Sequence, residues 1–199
     1  MILEVYFMNI LFGGSFNPPT LAHYEIVKLL DELYTPKRIV LMPVGNNYNK
    51  PELIDGKIRL EMTRIMASHF ENVVVSDFEV TRPFRGTIRS LEYLVETYKE
   101  DVALAIGADN FIYLSTWIEA EALIKNYKII VFDRDGLITE EVVMLFEVEY
   151  GVKIDVINCS SNISASEIRS NPKKYRKNLL PEVYEYIQNN KLYLKEDKK

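Results

Sequence analysis

The stretch Asn9-Ile10-Leu11-Phe12-Gly13-Gly14-Ser15-Phe16-Asn17-Pro18-Pro19-Thr20-Leu21-Ala22-His23 sets the fold. An apolar run over residues 5–12 leads straight into paired glycines, and so short a run without strict alternation predicts a strand buried on both faces. Glycines at the end of such a strand let the backbone approach a phosphate with no Cβ in the way, and Ser15 and Thr20 add hydroxyls. Thr20 is placed to N-cap the next helix, which puts His23 in its first turn, where free N–H groups and the helix dipole favour negative charge. A tight turn and a capped helix with a half-exposed histidine, serving no ligand, fit the same spacing equally well.

Outward from that turn, further β-branched runs recur at 38–44, 73–75, 102–106, 127–132 and 154–157. Helical spacing fills the intervals at 22–33, 57–70, 88–98, 117–123 and 139–150; in the second of these Ile58, Met62, Ile65 and Met66 share a face. This alternation predicts right-handed crossovers and an α/β fold: a doubly wound, mainly parallel sheet with helices on both faces, which binds its ligands at the carboxyl ends of the strands. Past the last strand the pattern turns helical at 164–169 and 181–189, with Pro181 suited to a first helical turn, so a small helical C-terminal extension is expected.

The 199 residues are read as one domain, 1–199, with 1–6 and 195–199 expected to fray. A chain that is 48% hydrophobic and 27% charged has the composition of a packed globular domain. The net charge of −5 argues against binding duplex nucleic acid but leaves room for a basic pocket holding a small anion. The single cysteine, Cys159, excludes an intrachain disulfide and no Cys/His spacing suits zinc, so no protein-bound metal is expected and a reducing cytoplasm fits. No run is long enough to span a bilayer, and a homo-oligomer is neither specified nor opposed.

Four later segments stand where chemistry is expected, on loops and helix starts. They are Pro43-Val44-Gly45-Asn46-Asn47-Tyr48-Asn49-Lys50-Pro51; Ser76-Asp77-Phe78-Glu79-Val80-Thr81-Arg82 with Thr87; Ile106-Gly107-Ala108-Asp109-Asn110 with Trp117; and Asn162-Ile163-Ser164-Ala165-Ser166-Glu167-Ile168-Arg169. Solvated charges account for Arg59 and Arg64, and Glu79 with Arg82 reads as a structural ion pair. Asp109 fits either a ribose acceptor or an ordinary helix cap, and Trp117 fits a core position. Ser164 and Glu167 have capping-box spacing.

Together with the Gly13–His23 turn, these segments resemble, in the same order, the nicotinate and nicotinamide mononucleotide adenylyltransferases of the nucleotidyltransferase superfamily. The likeness runs from Ile10 to Tyr193. Ala22 stands where the family often has glycine, Thr20 replaces a first histidine, and Ala165 removes a hydroxyl. The resemblance implies a Rossmann-like sheet and transfer of AMP from ATP to nicotinate mononucleotide, giving deamido-NAD and pyrophosphate. It implies ATP contacts at Gly13, Gly14, Ser15, Phe16, His23, Gly107, Asp109, Ser164, Ser166 and Arg169, with His23, Thr20 and Arg169 as the catalytic set and with His23 and Arg169 supplying positive potential. Mononucleotide contacts are implied at Asn46, Tyr48, Lys50, Thr87, Trp117 and Arg134. Mg²⁺ is expected to arrive with ATP. Nicotinamide mononucleotide as the acceptor and an inactive nucleotide-binding regulator remain as alternatives, while a phosphopantetheine or cytidylyl enzyme fits the Trp117 segment less well.

Overall fold

Strands rich in valine, isoleucine and leucine, with no outward polar face, need cover on both sides, and the computed structural model supplies it. It describes residues 8–47, 52–134, 136–159 and 165–194. Among these, six parallel strands, β1 (Asn9–Gly14), β2 (Arg38–Pro43), β3 (Val73–Val75), β4 (Val102–Gly107), β5 (Ile129–Asp133) and β6 (Ile154–Asn158), form one sheet in the order β3-β2-β1-β4-β5-β6. The helices are α1 (Leu21–Tyr34), α2 (Gly56–Ala67), α3 (Phe78–Thr81), α4 (Thr87–Tyr98), α5 (Ala108–Phe111), α6 (Ala120–Asn126), α7 (Glu140–Tyr150), α8 (Ala165–Ser170) and α9 (Pro181–Asn189). This is the doubly wound parallel architecture expected from the sequence.

Alternate strand residues face opposite layers. Ile10, Phe12, Ile39, Leu41, Ile130 and Phe132 pack with Val27 and Leu30 of α1 and Met66 of α2. Leu11, Val40, Leu104, Ile106 and Val131 pack with Leu91 and Leu94 of α4 and Leu123 of α6. A third cluster joins Met62 of α2 to Ile168 of α8 and to Val183 and Ile187 of α9, so the expected C-terminal helical extension is present and is fastened to the domain. Each such side chain, fully buried, contributes roughly 1.5–3 kcal/mol relative to exposure.

Strand register opens a crevice. β1 and β4 pair from Asn9↔Val102 to Phe12↔Ala105 and no further. Beyond that point β1 follows β2 as far as Gly14↔Pro43, and β4 follows β5 as far as Gly107↔Phe132. The chains leave in opposite directions at this topological switch point, which is where such sheets hold ligands.

Local departures have physical reasons. The helix expected over 117–123 starts at Ala120, because Glu119 is left-handed (φ 54°, ψ 39°) and Trp117 is extended (φ −73°, ψ 160°) after a 3-10 turn over Leu114–Thr116. The four-residue helices α3 and α5 are too short to leave a periodic signal. Residues 1–7 and 195–199, whose fraying was expected in part, lie outside the described residues.

Candidate active site

The crevice is a cleft of about 380 Å³ whose walls include Gly13 and Gly14 from the end of β1, Ser15 from the turn that follows, His23 of α1, Gly107 at the end of β4 with Asp109 of α5, Arg134 after β5, and Ser166 and Arg169 of α8. Residues from four parts of the chain thus converge on the carboxyl edge of the sheet.

Thr20 is the N-cap of α1, and His23 occupies the third helical position, where a capping box usually has glutamate or glutamine. The Thr20 N–H donates to His23 Nδ1 at 3.0 Å, and the Thr20 hydroxyl lies 2.8 Å from the same nitrogen. Nδ1 is therefore an acceptor, and the neutral ring carries its proton on Nε2. Burial, reinforced by the Arg134 charge, pulls the imidazole from 6.5 down to about 4. In the free protein His23 is thus a neutral N–H donor, and the positive potential expected of it comes from that N–H rather than from a protonated ring. Thr20, with 2% of its surface exposed, is not part of the cleft wall and orients His23 from beneath. Phe16 has its ring fully buried, 5.1 Å from the His23 ring and edge-on to Phe12, so its side chain is a floor for the imidazole.

The far wall is tied to the turn by Arg169. Its guanidinium donates to the Asn17 carbonyl at 3.0 Å, to Ser166 Oγ at 2.9 Å and to Glu52 Oε1 at 3.3 Å. Asn17 is a junction: its amide donates to the Glu52 carbonyl at 2.9 Å, and its side-chain oxygen accepts from the Tyr193 hydroxyl at 2.8 Å. Burial raises the Tyr193 phenol far above its ordinary value, so it stays a donor. Neither Asn17 as a junction nor Glu52 and Tyr193 as its partners were legible in the sequence, because these contacts join residues 35 and 176 positions apart. Ser164, expected to cap α8, lies outside the described residues.

Gly107 precedes α5, and a Cβ there would lie 2.5 Å from Asp109 Oδ1. The close approach that this glycine permits is therefore that of the Asp109 carboxylate, which folds back over it. Asp109 is not the cap of α5; Gly107 is. Arg134, expected on the mononucleotide side, lines the cleft that holds His23.

Thr87 opens α4, and the Trp117 segment docks beside it. Ile118 packs against Gly86, where a Cβ would meet the Ile118 side chain at 2.9 Å, and Glu119 forms an ion pair with Arg89. Thr87 and Trp117 are thereby brought to one neighbourhood, with Trp117 half-buried against the core. Asn46 has its side-chain oxygen taken up by the Gly56 N–H at 2.6 Å and by Arg59 at 3.4 Å, so it shapes the start of α2. Tyr48 and Lys50 lie outside the described residues. Glu79 and Arg82 form no ion pair: the buried Glu79 carboxylate accepts from Ser90 Oγ at 2.7 Å, while the Arg82 guanidinium stacks 4.6 Å over the Phe78 ring.

Arg59 is the other correction. It is fully buried, not solvated, and donates to the carbonyls of Ile54 at 2.9 Å, Ser15 at 3.0 Å and Val44 at 2.7 Å. Its position in register with buried Met62 and Met66, at i, i+3 and i+7, is the signal that could have found it. Arg64, by contrast, is exposed and pairs with Glu61.

A sequence profile of the cytidylyltransferase-like family matches residues 11–171. A chain of Acholeplasma laidlawii described as a "probable nicotinate-nucleotide adenylyltransferase" is 36% identical over 187 residues, covering 94% of this chain and 97% of its own length. The chain belongs to the nicotinate-nucleotide adenylyltransferase family. A Caldicellulosiruptor bescii member described in the same words is 31% identical over 192 residues, covering 92% of this chain and 97% of its own. The fold is that of the nicotinic acid mononucleotide adenylyltransferase of Plasmodium falciparum, solved in complex with NaAD, with a TM-score of 0.78 at 22% identity over 94% of this chain and 97% of that one. In this adenylyltransferase the cleft joins the family's glycine-histidine turn to its late serine-arginine segment.

Proposed function

We propose that this adenylyltransferase moves AMP from ATP to nicotinate mononucleotide, forming deamido-NAD and releasing pyrophosphate. The observation that carries the reading is the convergence of the Gly13–Asn17 turn and His23 with Ser166 and Arg169 in one cleft. An oxygen of the mononucleotide phosphate attacks the α-phosphorus of ATP, the bond to the β-phosphate oxygen breaks, and its electron pair leaves with pyrophosphate. The attacking oxygen is already anionic, so the protein needs no nucleophile of its own; it aligns two anions that repel one another and stabilises charge on the phosphoryl oxygens. His23 donates Nε2–H to those oxygens and, with Arg169, forms the side that meets the triphosphate. Asp109 accepts from ribose hydroxyls of ATP. Thr87 and Trp117 hold the mononucleotide, the indole stacking on the pyridine ring.

Mg²⁺ enters with ATP as part of the substrate. The carboxylates that line the cleft are Asp109 and Glu52, and Glu52 is engaged by Arg169, so the ion takes most of its ligands from phosphate and water.

Purified protein with Mg-ATP and either nicotinate or nicotinamide mononucleotide, assayed for pyrophosphate and dinucleotide, tests the reading. Faster turnover of the nicotinate form is expected. Faster turnover of the amide reverses the acceptor, and ATP binding without pyrophosphate from either one makes the protein a regulator.

A further inference from the structure

Arg59 is a cation with none of its surface exposed, and its guanidinium is met by three carbonyls and an amide rather than by an acid. Asp55, a carboxylate whose charge acts on it, is an exposed N-cap taken up by the Lys57 N–H at 2.8 Å. A buried charge without a contacting counter-charge is costly, and cores retain one where something else balances it. Here the balance among the described residues is carried by those carbonyls. Ser15, whose oxygen Arg59 holds, lines the cleft, and Val44, whose oxygen it also holds, donates its own N–H to the Gly14 carbonyl at 3.0 Å. One planar fork therefore ties the turn after β1, the loop after β2 and the entry to α2 into a single body.

We infer that Arg59 is a positioning residue that couples the ATP side of the cleft to the mononucleotide side, by holding on one buried guanidinium the Ser15 carbonyl and the Val44–Asn46 loop, whose Gly45 packs on the backbone of Glu79 in the segment that leads to Thr87. This deepens the proposed transfer reaction and rests on it. The coupling has a direction-independent signature: disturbing Arg59 weakens both ligands, each measured in the absence of the other. A residue that only supported the fold would lower the melting temperature and leave both affinities of the folded protein unchanged.

The experiment uses Arg59→Lys, which keeps the charge but loses the fork, and Asn46→Ala, which removes a side chain on an exposed loop that accepts from the guanidinium. Arg64→Gln on the exposed face of the same helix is the control. Titration calorimetry reads Kd for Mg-ATP alone and for nicotinate mononucleotide alone, and circular dichroism reads the folded fraction. Arg59→Lys should raise both Kd values about tenfold and lower kcat about 100-fold, in line with the sensitivity of transfer to small displacements. Asn46→Ala should raise the Kd for Mg-ATP, a ligand on the other side of the turn, at least about threefold. Wild-type affinity for ATP in both variants overturns the inference, as does loss of one ligand only in Arg59→Lys. Should Arg59→Lys not fold, Asn46→Ala decides alone. A wild-type protein that binds both ligands without turnover refutes the transfer reaction and not the coupling, because the coupling is read from binding.

Discussion

Arg169 donates to the backbone carbonyl of Asn17 at 3.0 Å, across 152 residues of sequence, and so ties the first turn to α8 across the cleft. The same guanidinium holds Ser166 and Glu52, so it is oriented toward the cleft wall by a hydroxyl and a surface carboxylate. Arg169→Lys should lower kcat/KM by about 10²-fold or more, because lysine cannot reproduce a fork that spans a carbonyl, a hydroxyl and a phosphate. Steady-state assays at saturating mononucleotide check this, and a variant within twofold of wild type would remove Arg169 from the mechanism.

Under the proposed reaction Glu52 would compete with ATP for Arg169. The pair is 3.3 Å long with the glutamate 56% exposed, so its strength is that of a surface ion pair, about 0.2–1 kcal/mol. Glu52→Gln should therefore lower KM for ATP by about 1.4–5-fold with kcat little changed. A raised KM would mean that Glu52 orients Arg169 rather than restrains it.

His23 is held neutral. With its folded value near 4 and its unfolded value near 6.5, the unfolded chain binds the proton more readily between those limits. Its contribution to stability is thus complete above pH 6.5 and is lost as pH falls toward 4. The stability difference between wild type and His23→Gln, from urea unfolding, should shrink over that window. The chain has two histidines, so a His69→Gln background leaves one imidazole, and its nitrogen resonances should report a proton on Nε2 and no titration between pH 8 and about 5. His23→Ala should lower turnover by about 10²–10³-fold, the loss expected of one transition-state donor. A midpoint near neutrality, or full activity in His23→Ala, would contradict the N–H donor role.

Trp117 is the only tryptophan, which makes it its own probe. Nicotinate mononucleotide should quench its fluorescence while ATP leaves it nearly unchanged, and Trp117→Ala should weaken mononucleotide binding by about 1–3 kcal/mol with ATP affinity preserved. Equal losses for both ligands would trace the effect to its packing against the core instead.

Much of this architecture was legible because its causes are local. The apolar runs at 38–44 and 102–106 read as strands covered on both faces, and the paired glycines that end β1 marked the edge where ligands bind. What escaped was set by distant partners. Tyr193 reaches Asn17 from near the end of the chain, and Arg59 looks like a surface charge until the carbonyls of Ser15 and Val44 fold over it. Glu79 and Arg82 have opposite charges at a plausible spacing, yet burial and Ser90 claim the first while the Phe78 ring claims the second. The Thr20–His23 pair was visible as a cap, but not as the bond that fixes the histidine tautomer.

Two glycines separate effects on the site from effects on the fold. At Gly107 the backbone is extended (φ −75°), so alanine is unstrained, and what its Cβ would meet, 2.5 Å away, is the movable Asp109 carboxylate. Gly107→Ala should therefore change stability by no more than about 0.5 kcal/mol. It should nonetheless raise KM for ATP about tenfold or more, since hydrogen bonds to a charged group are worth about 1.5–3 kcal/mol. At Gly45 a Cβ would lie 2.4 Å from the Glu79 backbone carbonyl, which cannot swing aside. Gly45→Ala should cost about 1–3 kcal/mol of stability by overpacking. Thermal melts beside ATP saturation curves read both variants, and a Gly107→Ala protein that is destabilised but binds ATP normally would show that the Asp109 carboxylate serves the fold rather than the ribose.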